Sequence, residues 1–191
     1  MKSYHSIVLY IILILLQFGC KSESNITIYK IKKNNSTPNQ NSTKQKNARL
    51  NWTAPNNWIK KSPTDFRLAS YDIPTYNDEI VDLSITVFPG DAGGIEQNVN
   101  RWRKQINLEP QNINTILKNA QKESSMLGEY FIFDLNNQNN NQSIVVALIP
   151  YLKDEQSISE TIFIKMNGSN DSLQELKYEF KLFCKSMHWL Q

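Results

Sequence analysis

Hydrophobic and polar positions divide the chain into three stretches. Behind Lys2, residues Ile7 to Leu16 form an unbroken apolar run, followed closely by Gly19 and Cys20. A positive start, a short apolar core and a small residue at its end make a secretory leader. The run falls well short of the roughly 20 apolar residues a helix needs to cross a bilayer, so an uncleaved anchor is the lesser alternative. Residues 21–49 are dominated by Asn, Ser, Thr, Gln and Lys. Such a segment buries too little apolar surface to offset the entropy of ordering it, and it reads as a tether. From Leu50 onward the pattern becomes periodic.

Leu50–Thr53 and Trp58–Lys60 read as short extended pieces around a Pro55-Asn56-Asn57 turn, and Phe66–Tyr71 and Ile80–Phe88 as strands. In the last of these, Val81, Leu83, Ile85 and Val87 share one face while Asp82, Ser84 and Thr86 share the other. Pro89–Gly94 turns the chain into a helix whose Ile95, Val99, Trp102 and Ile106 form one apolar stripe, with Asn98, Arg101 and Gln105 at its margin. Asn112–Ala120 holds a further helical turn or two, and Lys122–Met126 is extended. Glu129–Leu135, Ser143–Tyr151 and Glu160–Met166 are three more strands, joined by connections of hairpin length. Ser172 with Glu175 reads as a capping box opening a last helix, along which Leu173, Leu176, Phe180, Phe183 and Met187 recur at spacings of three and four. The expected class is α+β: a largely antiparallel sheet packed by helices over residues 50–191, preceded by a leader (1–19) and a tether (20–49).

The overall charge of +3 conceals an asymmetry. The tether carries Lys21, Lys30, Lys32, Lys33, Lys44, Lys46 and Arg49 against Glu23, whereas residues 50–191 hold 13 basic against 17 acidic residues. A basic segment beside a membrane is drawn to anionic headgroups, while an acidic domain argues against a nucleic-acid partner. With two Cys and two His in the whole chain, neither a disulfide framework nor zinc-ligand spacing is available, and no metal or other cofactor is expected. Cys184 lies in an apolar stretch and reads as a small buried hydrophobe.

Leu16-Gln17-Phe18-Gly19-Cys20 resembles the lipobox of bacterial lipoproteins, in which the cysteine is acylated and becomes the new N-terminus. Gln17 departs from that pattern, where Leu is usual three positions before the cysteine. Three further stretches carry a second resemblance: Trp52-Thr53-Ala54-Pro55 with Trp58 and Phe66–Tyr71; Phe88-Pro89-Gly90-Asp91-Ala92-Gly93-Gly94 with Asn98-Val99-Asn100-Arg101-Trp102-Arg103; and Phe163–Gly168. Together they resemble a family of bacterial envelope proteins with no assigned reaction, many carrying lipoprotein leaders. The order of strands and the closing helix also resemble the PsbP-type sandwich, which implies an α/β/α layering of helices on both faces of the sheet. The resemblance implies a lipid-anchored extracytoplasmic domain held to the membrane through Cys20 and facing the periplasm or exterior, and it implies no chemistry.

Candidate binding residues cluster between Gly90 and Gln105. The Gly90–Gly94 loop opens a helix, so its free N–H groups either receive an anion or form a plain tight turn with Asp91 near the helix start. Arg101, flanked by Asn98 and Gln105, has the fork geometry to hold a carboxylate or an extended peptide; alternatively the three side chains tie the helix margin to neighbouring backbone. Trp52, Trp58 and Trp102 line a groove or serve as packing lids. Three functional expectations follow, the plainest being a structural lipoprotein with no dedicated ligand. Another is a non-catalytic binding or assembly module of the envelope, contacting a protein partner through Asp91, Asn98, Arg101, Trp102 and Gln105. In that case Arg101→Ala and Asn98→Ala weaken capture and leave stability within about 1 kcal/mol. The alternative is an envelope hydrolase using Asp91 or Asp82 beside Arg101, which requires a deep pocket and a carboxyl group held protonated. The carboxylate pairs Asp78-Glu79 and Asp154-Glu155 fall in loops and read as solvated charges.

Overall fold

A computed structural model describes residues 50–152 and 157–190. The leader, Cys20, the tether and the Asp154-Glu155 pair lie outside the described residues. Twelve elements follow in chain order: β1 (Leu50–Asn51), β2 (Ile59–Lys60), β3 (Ala69–Pro74), β4 (Ile80–Pro89), α1 (Gly94–Gln105), α2 (Ile113–Asn119), β5 (Gln121–Ser125), β6 (Gly128–Asn137), β7 (Gln142–Leu152), β8 (Ile158–Gly168), α3 (Asn170–Lys185) and β9 (His188–Trp189). Seven strands form one sheet in the order β2-β3-β4-β8-β7-β6-β5, every neighbouring pair antiparallel. A separate two-stranded ribbon pairs β1 with β9. Among the described residues no helix is long and apolar enough to cross a membrane. The expected α+β class is what the chain adopts.

Period-two alternation gives the sheet two different faces. Val81, Leu83 and Ile85 of β4, Ile162, Ile164 and Met166 of β8, and Val145, Ala147 and Ile149 of β7 point to one side. There they meet Leu173, Leu176, Phe180, Phe183 and Met187, the stripe expected along the closing helix. On the opposite side Val99, Trp102 and Ile106 of α1 and Ile116 of α2 pack on Phe133, Leu135, Ile144, Val146, Leu148 and Phe163. Helices on both faces make the α/β/α layering. Full burial of each such side chain contributes about 1.5–3 kcal/mol, so these two layers hold the sandwich together.

Two local expectations are corrected, and one pairing is new. The strand expected at Phe66 begins at Ala69, because Arg67 N–H donates to Thr64 Oγ1 (3.2 Å) and closes a turn that leaves Phe66 83% exposed. The N-cap of α3 is Ser169 and not Ser172: the Ser169 hydroxyl accepts from Ser172 N–H, and Glu175 instead receives Tyr76 N–H at 3.3 Å. Ser172 is fully buried, and its hydroxyl reaches Glu79 Oε2 at 2.6 Å. The terminal pair β1 and β9 was not expected, since a two-residue strand carries no periodicity.

Candidate functional site

The loop before α1 is a chain of positive-φ residues, Gly90 (61°), Ala92 (52°), Gly93 (88°) and Gly94 (78°), and a glycine at Gly93 lets the helix start from a left-handed position without a side-chain cap. Asp91 Oδ1 accepts from Gly93 N–H at 3.1 Å within this turn, and its side chain stays at the surface. Thr161 Oγ1 donates to Gly90 O at 2.7 Å, fastening the turn to β8.

Asn98 is 2% exposed and serves as the internal brace of this segment. Its Nδ2 donates to Ala92 O (2.9 Å) and Gly94 O (2.7 Å), while its Oδ1 accepts from Arg101 Nη2 at 2.7 Å. Trp102 is also buried, edge-on to Phe163 with ring centroids 5.3 Å apart at 88°. Trp58 is buried against Phe183, and Trp52 donates its indole N–H to Tyr71 Oη at 2.8 Å, so all three tryptophans pack. Of the five candidates, Asp91, Arg101 and Gln105 reach the surface and Asn98 and Trp102 lie beneath it. The Arg101 guanidinium carbon stands 5.8 Å from the Trp102 ring centroid, a cation–π distance that steadies the fork over the helix margin.

A groove and a polar half of the sheet face flank α1. On the outer side of α1 lies a groove of about 660 Å³ lined by Gln97, Asn100, Arg101, Lys104 and the 107–110 loop. That loop is held rigidly: Asn100 brackets Gln111 by two hydrogen bonds of 2.8 Å each, and Arg103 Nε donates to Glu109 O at 2.6 Å. The second feature arises because the apolar layer under α1 and α2 draws on β6, β7 and β8 but on neither β3 nor β4. Strand register lays polar rows across the remaining half of that face. Asp72, Asp82 and Asn167 align in one, and Ser70, Ser84 and Lys165 in the next, ending at the covered Val146.

Charges are arranged unequally here. Lys61 Nζ lies 2.7 Å from Asp72 and 3.5 Å from Asp82, and Arg67 Nη1 lies 2.9 Å from Asp82. Lys165 Nζ donates to Gln105 Oε1 at 3.3 Å. Burial pushes the Lys165 ammonium below the usual lysine range, Arg67 and Arg101 push it further, and Asp82 opposes them. Lys165 went unnoticed in the sequence pattern, although a lysine on the same strand face as Phe163, inside an otherwise apolar run, was a readable signal. Among the described residues no group of three or more His, Cys, Asp and Glu side chains is gathered as a metal centre would need.

These features define an antiparallel α/β/α domain carrying a polar half-face of its sheet beside the first helix. No protein-family model and no curated protein matches the chain. Solved structures show partial likeness. LpqN of Mycobacterium tuberculosis, involved in cell envelope biogenesis, is 7% identical over 74% of this chain and 83% of its own, with a TM-score of 0.44. A protein from Bacteroides thetaiotaomicron VPI-5482 is 11% identical over 76% of this chain and 46% of its own, with a TM-score of 0.41. The cyanobacterial PsbP protein of Synechocystis sp. PCC 6803 is 16% identical over 74% and 93%, with a TM-score of 0.43. All three overlaps stay below 0.5, and the class rests on this chain's own topology.

Proposed function

We propose that the chain is a lipid-anchored module of the bacterial envelope which captures a protein partner through α1 and the polar half-face beside it, without performing a reaction itself. The leader ending at Cys20 and the basic tether support the anchor. The observation that carries the binding reading is the polar half-face itself: β3 and β4 contribute aligned Ser and Asp rows, running to Asn167 and Lys165 of β8, to a sheet face that elsewhere is sealed by apolar side chains, and Lys165 bonds Gln105 of α1 at its edge. The hydrolase reading fares less well on geometry. Asp91 is an exposed turn residue bonded to Gly93 N–H, and Asp82 is already matched by Arg67 and Lys61, so both carboxyl groups are engaged within the chain and neither lines a deep pocket.

The test is chemical crosslinking of the native chain in its own membrane, followed by mass spectrometry. One recurrent protein partner is expected, with recovery reduced severalfold in Arg101→Ala while thermal stability moves by less than about 1 kcal/mol. Equal recovery from the variant, or no recurrent partner, overturns the assignment. Metabolic incorporation of labelled palmitate that disappears in Cys20→Ser checks the anchor separately.

A further inference from the structure

The polar half-face beside α1 contains more positive charge than its carboxylates neutralise. Asp72 and Asp82 are both engaged, the first by Lys61 and the second by Arg67 and Lys61. Among the described residues neither Lys165 nor Arg101 has a carboxylate at ion-pairing distance. Arg101 gives one bond to Asn98 Oδ1, and Lys165 gives one to Gln105 Oε1, so most of their N–H donors remain available. Arg101 and Gln105 are one helical turn apart on α1 and share a side of it. Gln105 touches Lys165 through its oxygen, which leaves its Nε2 group to donate. Asn98 is locked by two backbone carbonyls and in turn fixes the guanidinium.

A half-buried ammonium bonded to a neutral amide, with no carboxylate at ion-pairing distance, is a poor choice for stability alone, because a charge withdrawn from water is costly unless it is paired. Methionine would fill the same strand position without that cost. Residues that break a local rule in this way are characteristic of positions that meet something outside the chain. Resting on the binding role proposed above, the geometry points to Lys165, Arg101 and Gln105 as a seat for one oxyanion of a ligand, a carboxylate or a phosphate. The Arg101 fork would take two of its oxygens, with the Lys165 ammonium as the point charge behind them and the Gln105 amide as a lateral donor.

The experiment is an NMR titration of the full chain at fixed ionic strength, with inorganic phosphate in one arm and N-acetylglycine in the other. Arginine Nε–H and glutamine side-chain amide signals report the site. Saturable shifts are expected in at least one arm, and the tighter arm identifies the chemical source of the oxyanion. Lys165→Met and Arg101→Met should each weaken the half-saturation concentration at least tenfold, while Lys118→Gln on α2 leaves it unchanged. Lys165→Met should also melt no lower than the parent chain, which separates loss of the seat from unfolding. Shifts that rise linearly without saturation, or that survive Lys165→Met within twofold, overturn the proposal. Saturable anion binding with no crosslinked partner would support the seat and sink the partner reading; a partner captured through Arg101 without saturable anion binding would do the reverse.

Discussion

Removing the amide of Asn98 is the most discriminating change available in this domain. Asn98→Ala deletes two donated hydrogen bonds, of 2.9 Å to Ala92 O and 2.7 Å to Gly94 O, and one accepted from Arg101 at 2.7 Å. Gly94 O retains its place in the helix, but Ala92 O loses its partner on a side chain that is 2% exposed. Each neutral bond is worth about 1 kcal/mol net, and an orphaned acceptor costs about 1–3 kcal/mol. The Arg101 bond is discounted because its guanidinium sits at the surface. The better helix propensity of alanine returns about 0.5 kcal/mol. The expected loss is therefore about 2–3 kcal/mol, or roughly 6–12 °C in Tm for a domain of this size. Arg101→Ala leaves the brace intact and should cost less than about 1 kcal/mol. Both are measured by urea unfolding followed by circular dichroism, with unchanged m-values as the check that only stability has moved. A loss below 1 kcal/mol for Asn98→Ala, or equal losses for the two variants, refutes the reasoning and returns Asn98 to the binding surface that the sequence suggested.

Two further outcomes follow from the α3 end of the sandwich. Glu79 accepts from the Ser169 and Ser172 hydroxyls at the start of α3, and these bonds, against some desolvation, hold its carboxyl below the usual glutamate range. A carboxyl group acidified by folding contributes stability above its unfolded pKa and loses it as pH falls through the folded value. Glu79→Gln should thus be less stable than the parent near pH 7, with the gap closing below about pH 4 in thermal melts; a gap independent of pH contradicts this. Gly168→Ala places a Cβ 2.8 Å from Leu173 Cδ1 and 2.9 Å from Val81 Cγ2, so it should cost about 1–3 kcal/mol of overpacking in the same unfolding assay. An unchanged midpoint would show that the β8–α3 junction yields more easily than its contacts indicate.

Long amphipathic elements were legible because their burial repeats. The stripe Leu173, Leu176, Phe180, Phe183 and Met187 and the alternation Val81, Leu83, Ile85 both carry their packing partner's direction in the residue spacing. Boundaries were less legible where one hydrogen bond decides them. Phe66 looked like the first residue of a strand by composition, yet Thr64 closes a turn on Arg67 and the strand waits until Ala69. The cap of α3 moved from Ser172 to Ser169 for a related reason: both serines satisfy the local rule, and only the arrival of Glu79 from the β3–β4 turn gives Ser172 a different, buried task. The ribbon of β1 with β9 joins residues more than a hundred positions apart, and nothing periodic marks either strand.

The site was half legible for a different physical reason. Helix spacing alone collects Asn98, Arg101 and Gln105 on one margin, but the same spacing cannot tell a side chain turned outward from one turned back on its own loop. Asn98 turns back because the positive-φ path through Ala92 and Gly93 brings two carbonyl groups under the helix. Lys165 enters by sheet order, which the sequence does not carry. β8 lies between β4 and β7, at the seam between the polar rows and the apolar layer, and the first helix lands on the β7 side of it. Its place at the seam leaves its charge partly buried and without a carboxylate at ion-pairing distance, and that combination connects the topology of the sheet to the oxyanion seat proposed for it.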